Sequence, residues 1–219
     1  MPNRHLHSGR RRPQRREPTG GEFIPSGQRA YIALNKPYAV LSQFSPPDGS
    51  DKRTLAEFAF PPDVYPVGRL DYDSEGLLLL SDDPALNALL LHPSRRHERT
   101  YLAQVEGTPS PDALARLEHG VVLEGKPTLP AKAAVIAPPL ISPRPVPIRF
   151  RRDIPTAWIA LTLIEGRNRQ VRKMTAAVGH PTLRLVRTAI GGLTLADLAL
   201  APGQWRYLSA DQLRLAMQL

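Results

Sequence analysis

Residues 67–82 read Val67-Gly-Arg-Leu-Asp-Tyr-Asp-Ser-Glu-Gly-Leu-Leu-Leu-Leu-Ser-Asp82, and the reading of this stretch decides the fold. Residues 77–80 are an unbroken leucine run of the length expected for a strand buried on both faces. The run follows at once on a segment with three carboxylates, an arginine and a tyrosine, so polar chemistry is held directly against a core. On an extended backbone Arg69 and Asp71 point the same way and Leu70 points inward. Gly68 and Gly76 bracket the segment, which permits a tight loop that another group can approach closely.

The acids of this loop admit three readings. Asp71, Asp73, Glu75 and Gly76 match the opening of a calcium loop, but position nine is Leu79 and position twelve is Asp82 instead of a bidentate glutamate. A strand also stands where the helix should follow. The second reading is a turn whose acids cap backbone groups and pair with Arg69. The third is a single catalytic carboxylate at Asp71, with the other acids structural.

Working outward, residues 29–35 alternate as a strand that delivers Lys36 and Pro37 to a loop. Residues 54–58 read as a short helix opened by Thr54, and residues 64–67 as an extended lead into the acidic loop. Asp83-Pro84 is an N-cap with proline at the first helical position, starting a helix over 85–91 that stops before Pro93. Residues 100–106 form a strand with Tyr101, Ala103 and Val105 on one face. Ser110 caps a helix over 112–118 that Gly120 closes, and residues 121–136 read as a hairpin pair around Glu124-Gly125-Lys126. After a strand over 157–164, a helix over 168–178 buries Val171, Met174, Thr175 and Val178. It carries Arg169, Arg172 and Lys173 on the adjoining flank. A strand over 182–190, a Gly191-Gly192 turn, a short segment at 196–199, a strand over 204–208 and a helix capped by Ser209 complete the chain. This order predicts an α+β fold: a mostly antiparallel mixed sheet flanked by helices, with the site in a cleft between two halves.

Residues 1–28 carry arginines at 4, 10, 11, 12, 15 and 16 and little that is apolar, which predicts a disordered basic tail before a single domain over 29–219. A net charge of +9 over 219 residues favours a polyanionic partner, for which RNA, DNA and acidic membranes all qualify. With no cysteine there are no disulfides or thiolate metal sites, which fits a reducing cytoplasm. Neither an apolar run of membrane-spanning length nor a secretory signal is found, so a cytoplasmic protein without a membrane partner is expected, and a monomer. The histidines show no metal-ligand spacing outside the tail, and no metal is assigned. Residues 138–155 hold six prolines with Arg144, Arg149, Phe150, Arg151 and Arg152. That loop reads either as a rail for an RNA backbone with Phe150 free to stack, or as a cover for a sheet edge.

Gly68-Arg-Leu-Asp71-x-x-Ser74-x-Gly76 and its leucine run resemble the signature of pseudouridine synthases, most closely the RsuA/RluB/RluE/RluF group. Asn35-Lys36-Pro37 resembles the family's first motif, with Ala39 where a glycine is usual. Thr100-Tyr101 resembles its tyrosine motif, and residues 165–174, Glu-Gly-Arg-Asn-Arg-Gln-Val-Arg-Lys-Met, resemble its third. The resemblance implies a pseudouridine synthase fold with Asp71 as the catalytic residue and Tyr101 and Arg172 beside it. It further implies Arg69 filling the place vacated by the target uridine, Leu185 packing under the base, and ribosomal RNA as partner. Lys36, Arg167, Arg169 and Lys173 of these motifs, with Arg149 and Arg151 of the proline-rich loop, are the remaining candidate substrate contacts. No S4-type domain precedes the core, which within the group points to the RluE branch acting on large-subunit (23S) rRNA.

The implied reaction breaks the N1–C1′ bond of uridine, turns the base and joins C5 to C1′, and the family uses no cofactor for it. A carboxylate suits an electron-deficient C1′, which it can stabilise or attack, and it can shuttle a proton. Extracting the uridine from its stack costs roughly a few kcal/mol, which an inserted side chain offsets. Two rivals remain: an RNA-binding module without catalysis, and a metal-dependent nuclease using Asp71, Asp73 and Glu75. The first has no need of Asp71, and the second requires magnesium.

Overall fold

A computed structural model describes residues 29–149 and 151–218. The basic tail expected over residues 1–28, and Phe150, lie outside the described residues. The chain runs through β1 (Tyr31–Lys36), β2 (Val40–Leu41), β3 (Arg53–Thr54), a 3-10 turn (Leu55–Phe58), β4 (Tyr65–Pro66), β5 (Glu75–Ser81), α1 (Pro84–Leu91), β6 (Arg99–Glu106) and α2 (Pro111–His119). It continues through β7 (Val122–Leu123), β8 (Lys126–Pro127), β9 (Lys132–Ile136), β10 (Thr156–Leu163), α3 (Gln170–Ala177), β11 (Thr182–Ile190), β12 (Leu193–Thr194), α4 (Leu195–Leu198), β13 (Trp205–Tyr207) and α5 (Ala210–Met217).

One nine-stranded sheet organises these elements in the order β13-β1-β5-β11-β6-β10-β9, with β4 added to β5 and β12 to β11. Its pairs are antiparallel except for the β5–β11 seam, where Val186 faces Glu75 and Arg187 faces Gly76. The expected mostly antiparallel mixed sheet with helices on its flanks is what forms. The leucine run explains the centre: all seven residues of β5 are buried. Leu78 and Leu80 pack on one face with Ile32, Leu34 and Trp205, while Leu77 and Leu79 pack on the other with Leu86 and Leu90 of α1 and Ala216 of α5. Each such leucine contributes about 1.5–3 kcal/mol by leaving water, so the strand after the acidic loop is firmly anchored. A separate core under the other half of the sheet joins Ala103, Val105, Ile159 and Leu161 to Leu117 of α2 and to Val171 and Met174 of α3.

Three expectations shift at their edges. The segment at 54–58 is a 3-10 turn, still capped by the Thr54 hydroxyl accepting from the Ala56 amide. Residues 121–136 do not form one hairpin pair. Glu124 and Gly125 both take positive φ, as a two-residue hairpin loop requires, and close β7 on β8 alone. β9 leaves instead to pair with β10 at the sheet edge. Helix α3 begins two residues later than its apolar stripe suggests, because Arg169 at its N-cap sits in the left-handed region at φ 52.

Candidate active site

The acidic loop, residues 68–74, is carried between two strands that pair antiparallel, β4 and β5. Its backbone is held at four consecutive carbonyls. The Ser42 hydroxyl donates to Leu70 O at 2.8 Å and accepts from Leu70 N at 3.1 Å, a reciprocal buried clamp on the residue between Arg69 and Asp71. Ser74 N donates to Asp71 O at 3.1 Å, and Ala39 N donates to Tyr72 O at 3.0 Å. Arg172 Nη2 donates to Asp73 O at 2.8 Å. A loop with every one of these acceptors engaged presents its side chains in a fixed direction.

At the far end of the loop the glycine is obligatory. Gly76 has φ 103, and a Cβ there would stand 2.2 Å from Arg187 O, so side-chain-free backbone is what lets β5 meet β11.

Asp71 and Arg69 line a cleft of about 410 Å³, the other wall of which includes Tyr101, Leu185, Arg167 and Arg169. Leu70 points away into the core at 5% exposure, as the alternation predicted. Tyr101 stands on β6 opposite Arg187 of β11 and Leu161 of β10. Leu185 is buried two residues before Arg187 on the same strand.

The two aspartates of the loop are treated differently. Arg169 reaches back from the start of α3 and grips Asp73 with two hydrogen bonds of 2.9 Å. It touches Asp71 Oδ2 only at 3.5 Å. Arg172 lies 3.4 Å from Asp73 Oδ2 and also donates to Thr182 O at 3.2 Å. Burial pushes the Asp73 carboxyl up, but the Arg169 hydrogen bond and the Arg172 and Arg169 charges outweigh it and hold the group below the usual carboxylate range. The third acid, Glu75, faces the opposite side of the sheet and forms a buried bidentate pair with Arg184 at 2.9 and 2.8 Å. Asp71 and Asp73 therefore share Arg169 unequally while Glu75 pairs with Arg184, and among the described residues no cluster of His, Cys, Asp and Glu is suited to hold a metal.

The structure thus brings Asp71, Arg69, Tyr101, Leu185, Arg167 and Arg169 into one cleft and leaves the other candidates outside its lining. Lys36, expected on substrate, is completely buried. Its ammonium donates to Pro37 O at 3.0 Å and Val40 O at 2.7 Å, so it holds the β1–β2 connection instead of facing solvent. Arg172, expected on Asp71, meets Asp73 and the loop backbone. Lys173 pairs with Glu124 at 2.5 Å. Arg149 is exposed, and Arg151 pairs with Glu106 at 3.0 Å. Arg167 is partly committed to Glu165 at 3.1 Å and to the carbonyls of Lys126 and Pro127.

Three further lining residues, His97, Arg99 and Arg187, escaped the sequence reading. Arg187 shares the strand face of Leu185, and its place in the cleft follows from pairing with Tyr101 of β6 and Gly76 of β5, strands distant in sequence.

With that geometry in view, residues 30–177 match the family model described as RNA pseudouridylate synthase. A protein of Xanthomonas axonopodis pv. citri (strain 306) named ribosomal large subunit pseudouridine synthase E is 57% identical over 169 residues, 77% of this chain and 89% of that protein. The same name is borne by a protein of Vibrio parahaemolyticus serotype O3:K6 that is 52% identical over 178 residues, 81% of this chain and 73% of that one. A crystal structure of a pseudouridylate synthase aligns at a TM-score of 0.71 and 28% identity, covering 86% of this chain and 74% of that one. A matching model over two thirds of the chain and relatives above half identity assign it: the chain belongs to the RNA pseudouridylate synthase family, in the RluE branch of its RsuA group.

Proposed function

We propose that this chain converts a uridine of large-subunit ribosomal RNA to pseudouridine, with Asp71 as its catalytic carboxylate and no cofactor. The observation that carries the reading is the state of Asp71. Its backbone is clamped on both sides, its side chain lines a cleft of nucleoside dimensions, and its guanidinium neighbour is engaged more closely by Asp73. A carboxylate so placed meets C1′ of an extruded nucleotide while its own oxygens stay available. Heterolysis of N1–C1′ leaves the electron pair on the base, and bonding of C5 to C1′ releases the C5 proton while N1 gains one, so the product is an isomer.

The surrounding residues fit their assigned places. Tyr101 and Leu185 give the base an aromatic and an apolar wall, and the exposed Arg69 stands where a side chain can enter the vacated stack. The basic net charge and the names of the relatives support an RNA substrate, and of rRNA in particular. No helix among the described residues is long and apolar enough to cross a membrane. A cytoplasmic monomer formed by one catalytic domain over residues 29–219 completes the reading.

The test is tritium release from C5-labelled uridine in a large-subunit rRNA transcript. Asp71→Asn removes the charge and the nucleophile at nearly constant size, and release should fall below detection. RNA affinity should hold or rise, because one anion leaves a basic cleft and phosphate contacts dominate binding. Asp73→Asn should retain measurable turnover, since its carboxylate holds Arg169 and Arg172 and does not face C1′. Near-wild-type release by the Asp71→Asn protein would overturn the mechanism.

A further inference from the structure

Arg187 has no assigned task, yet its position is demanding. It is only 4% exposed, lines the Asp71 cleft, and stands directly across the β11–β6 register from Tyr101. Leu185, two residues earlier, shares its strand face, so Leu185, Arg187 and Tyr101 border one patch of the cleft floor. One edge of the guanidinium is satisfied, with Nε donating to Leu77 O at 2.8 Å. Nη2 has no hydrogen-bond partner, and among the described residues no carboxylate pairs with the group. The nearby acids are spent elsewhere, Glu75 on Arg184 and Asp73 on Arg169. A buried cation with an unsatisfied donor is costly unless an acceptor arrives, and the cleft it borders is where one would arrive.

Resting on the reaction proposed above, we propose that Arg187 is a further catalytic residue, which hydrogen-bonds the detached uracil and stabilises its negative charge. When N1–C1′ breaks, the electron pair stays on N1 and spreads onto O2 and O4, while Asp71 answers the electron-deficient C1′. Presenting C5 to C1′ requires the ring to turn about the axis through N3 and C6, which exchanges N1 with C5 and O2 with O4. A donor fixed at one edge of the cleft therefore meets O2 before the turn and O4 after it. Arg187 suits that duty: its Nε bond to Leu77 O fixes the fork, and its backbone is locked against Gly76. Its charge is permanent, so it gives a hydrogen bond and transfers no proton. When C5 has bonded to C1′ and shed its proton, and N1 has been protonated, the negative charge is gone and the product leaves.

The test compares single-turnover loss of uridine and of 5-fluorouridine from otherwise identical rRNA transcripts, read by nucleoside digestion, for wild type, Arg187→Gln and Arg187→Lys. Fluorine already stabilises the uracil anion, so a residue that stabilises the anion matters less on that substrate. Arg187→Gln should lose on the order of 100-fold or more on uridine, as for removal of one donor from an oxyanion site, with unchanged RNA affinity and a clearly smaller loss on 5-fluorouridine. Equal losses on both substrates would assign Arg187 to structure alone and overturn the inference. So would wild-type rates, or a loss confined to affinity. If Arg187→Gln proves unfolded by circular dichroism, Arg187→Lys carries the same comparison, since it keeps charge and one donor and should show a milder loss with the same substrate dependence. Activity surviving in Asp71→Asn would sink the underlying reaction, whereas an inactive Asp71→Asn with an unimpaired Arg187→Gln sinks only this inference.

Discussion

Arg184→Met tests what holds the parallel seam beneath the acidic loop. In the native chain Arg184 grips Glu75 through Nε at 2.9 Å and Nη2 at 2.8 Å, and Nη2 also donates to Ser142 O at 2.8 Å. The side chains are 11% and 8% exposed, so methionine in place of arginine strands a carboxylate away from water. Breaking a buried pair from one side costs about 3–5 kcal/mol, most of it the penalty of the uncompensated charge. In a domain of this size each kcal/mol lowers the melting temperature by roughly 2–4 °C, so the variant should melt about 6–20 °C lower. Replacing both partners removes the stranded charge. Glu75→Leu with Arg184→Met should recover most of the loss, because a buried ion pair exchanged for apolar packing is near neutral. Ser142 is exposed, so its carbonyl finds water instead. The assay is urea denaturation of the four proteins of the cycle. An Arg184→Met loss below about 1 kcal/mol would refute the reasoning, and so would additive single losses, since contacting charges must couple.

Two other expectations follow from the same loop. Burial lowers the Lys36 ammonium from 10.5 to about 7, against the raising pull of Glu75, Asp73 and Asp71. Between those values the unfolded chain binds more protons than the folded one, so this group makes stability rise with pH above about 7 and withdraws that gain as pH falls back through 7. Lys36→Met should flatten the rise, measured as the difference in urea midpoint between about pH 7 and pH 9.5, and parallel slopes for the two proteins would refute it. Ser42→Ala leaves Leu70 N and O buried without their partner, at a cost of about 1–3 kcal/mol. It should lower kcat while leaving KM for RNA nearly unchanged, and a change confined to KM would place Ser42 on the substrate instead of behind Asp71.

The elements were legible where local chemistry decides them. Proline after an aspartate or serine cap marked the starts of α1 and α2, and the leucine run announced β5. The cleft was legible only in part, because cleft membership depends on pairing across strands distant in sequence. Tyr101 and Leu185 were found through motif positions, whereas Arg187 required knowing that β11 pairs with β6 and β5. Arg184 and Glu75 are 109 residues apart, so nothing in either neighbourhood declares the pair. Lys36 misled for the opposite reason. A lysine in a loop-leading motif reads as a hand extended to RNA, and only the tertiary fold reveals its ammonium turned onto two carbonyls.

On the mechanism proposed above, the unequal treatment of Asp71 and Asp73 explains how a carboxylate is kept both aimed and reactive. Pairing Asp71 fully with a guanidinium would fix it in place, but it would also occupy the oxygens that chemistry needs and enlarge the barrier to meeting C1′. The fold separates the two duties. Asp73 takes the close contacts of Arg169 and Arg172, so that the cations anchor the loop through a neighbour. Asp71 is then aimed by backbone, through Ser42 on Leu70, Ala39 on Tyr72 and Arg172 on the Asp73 carbonyl. The strained left-handed conformation of Arg169 has a purpose on this view: a regular helical residue at φ near −60° would point the guanidinium elsewhere, and a non-glycine at φ 52 persists only where surrounding contacts impose it. The arginine that arrives by this turn approaches Asp71 only to 3.5 Å, too distant to consume its hydrogen-bonding capacity.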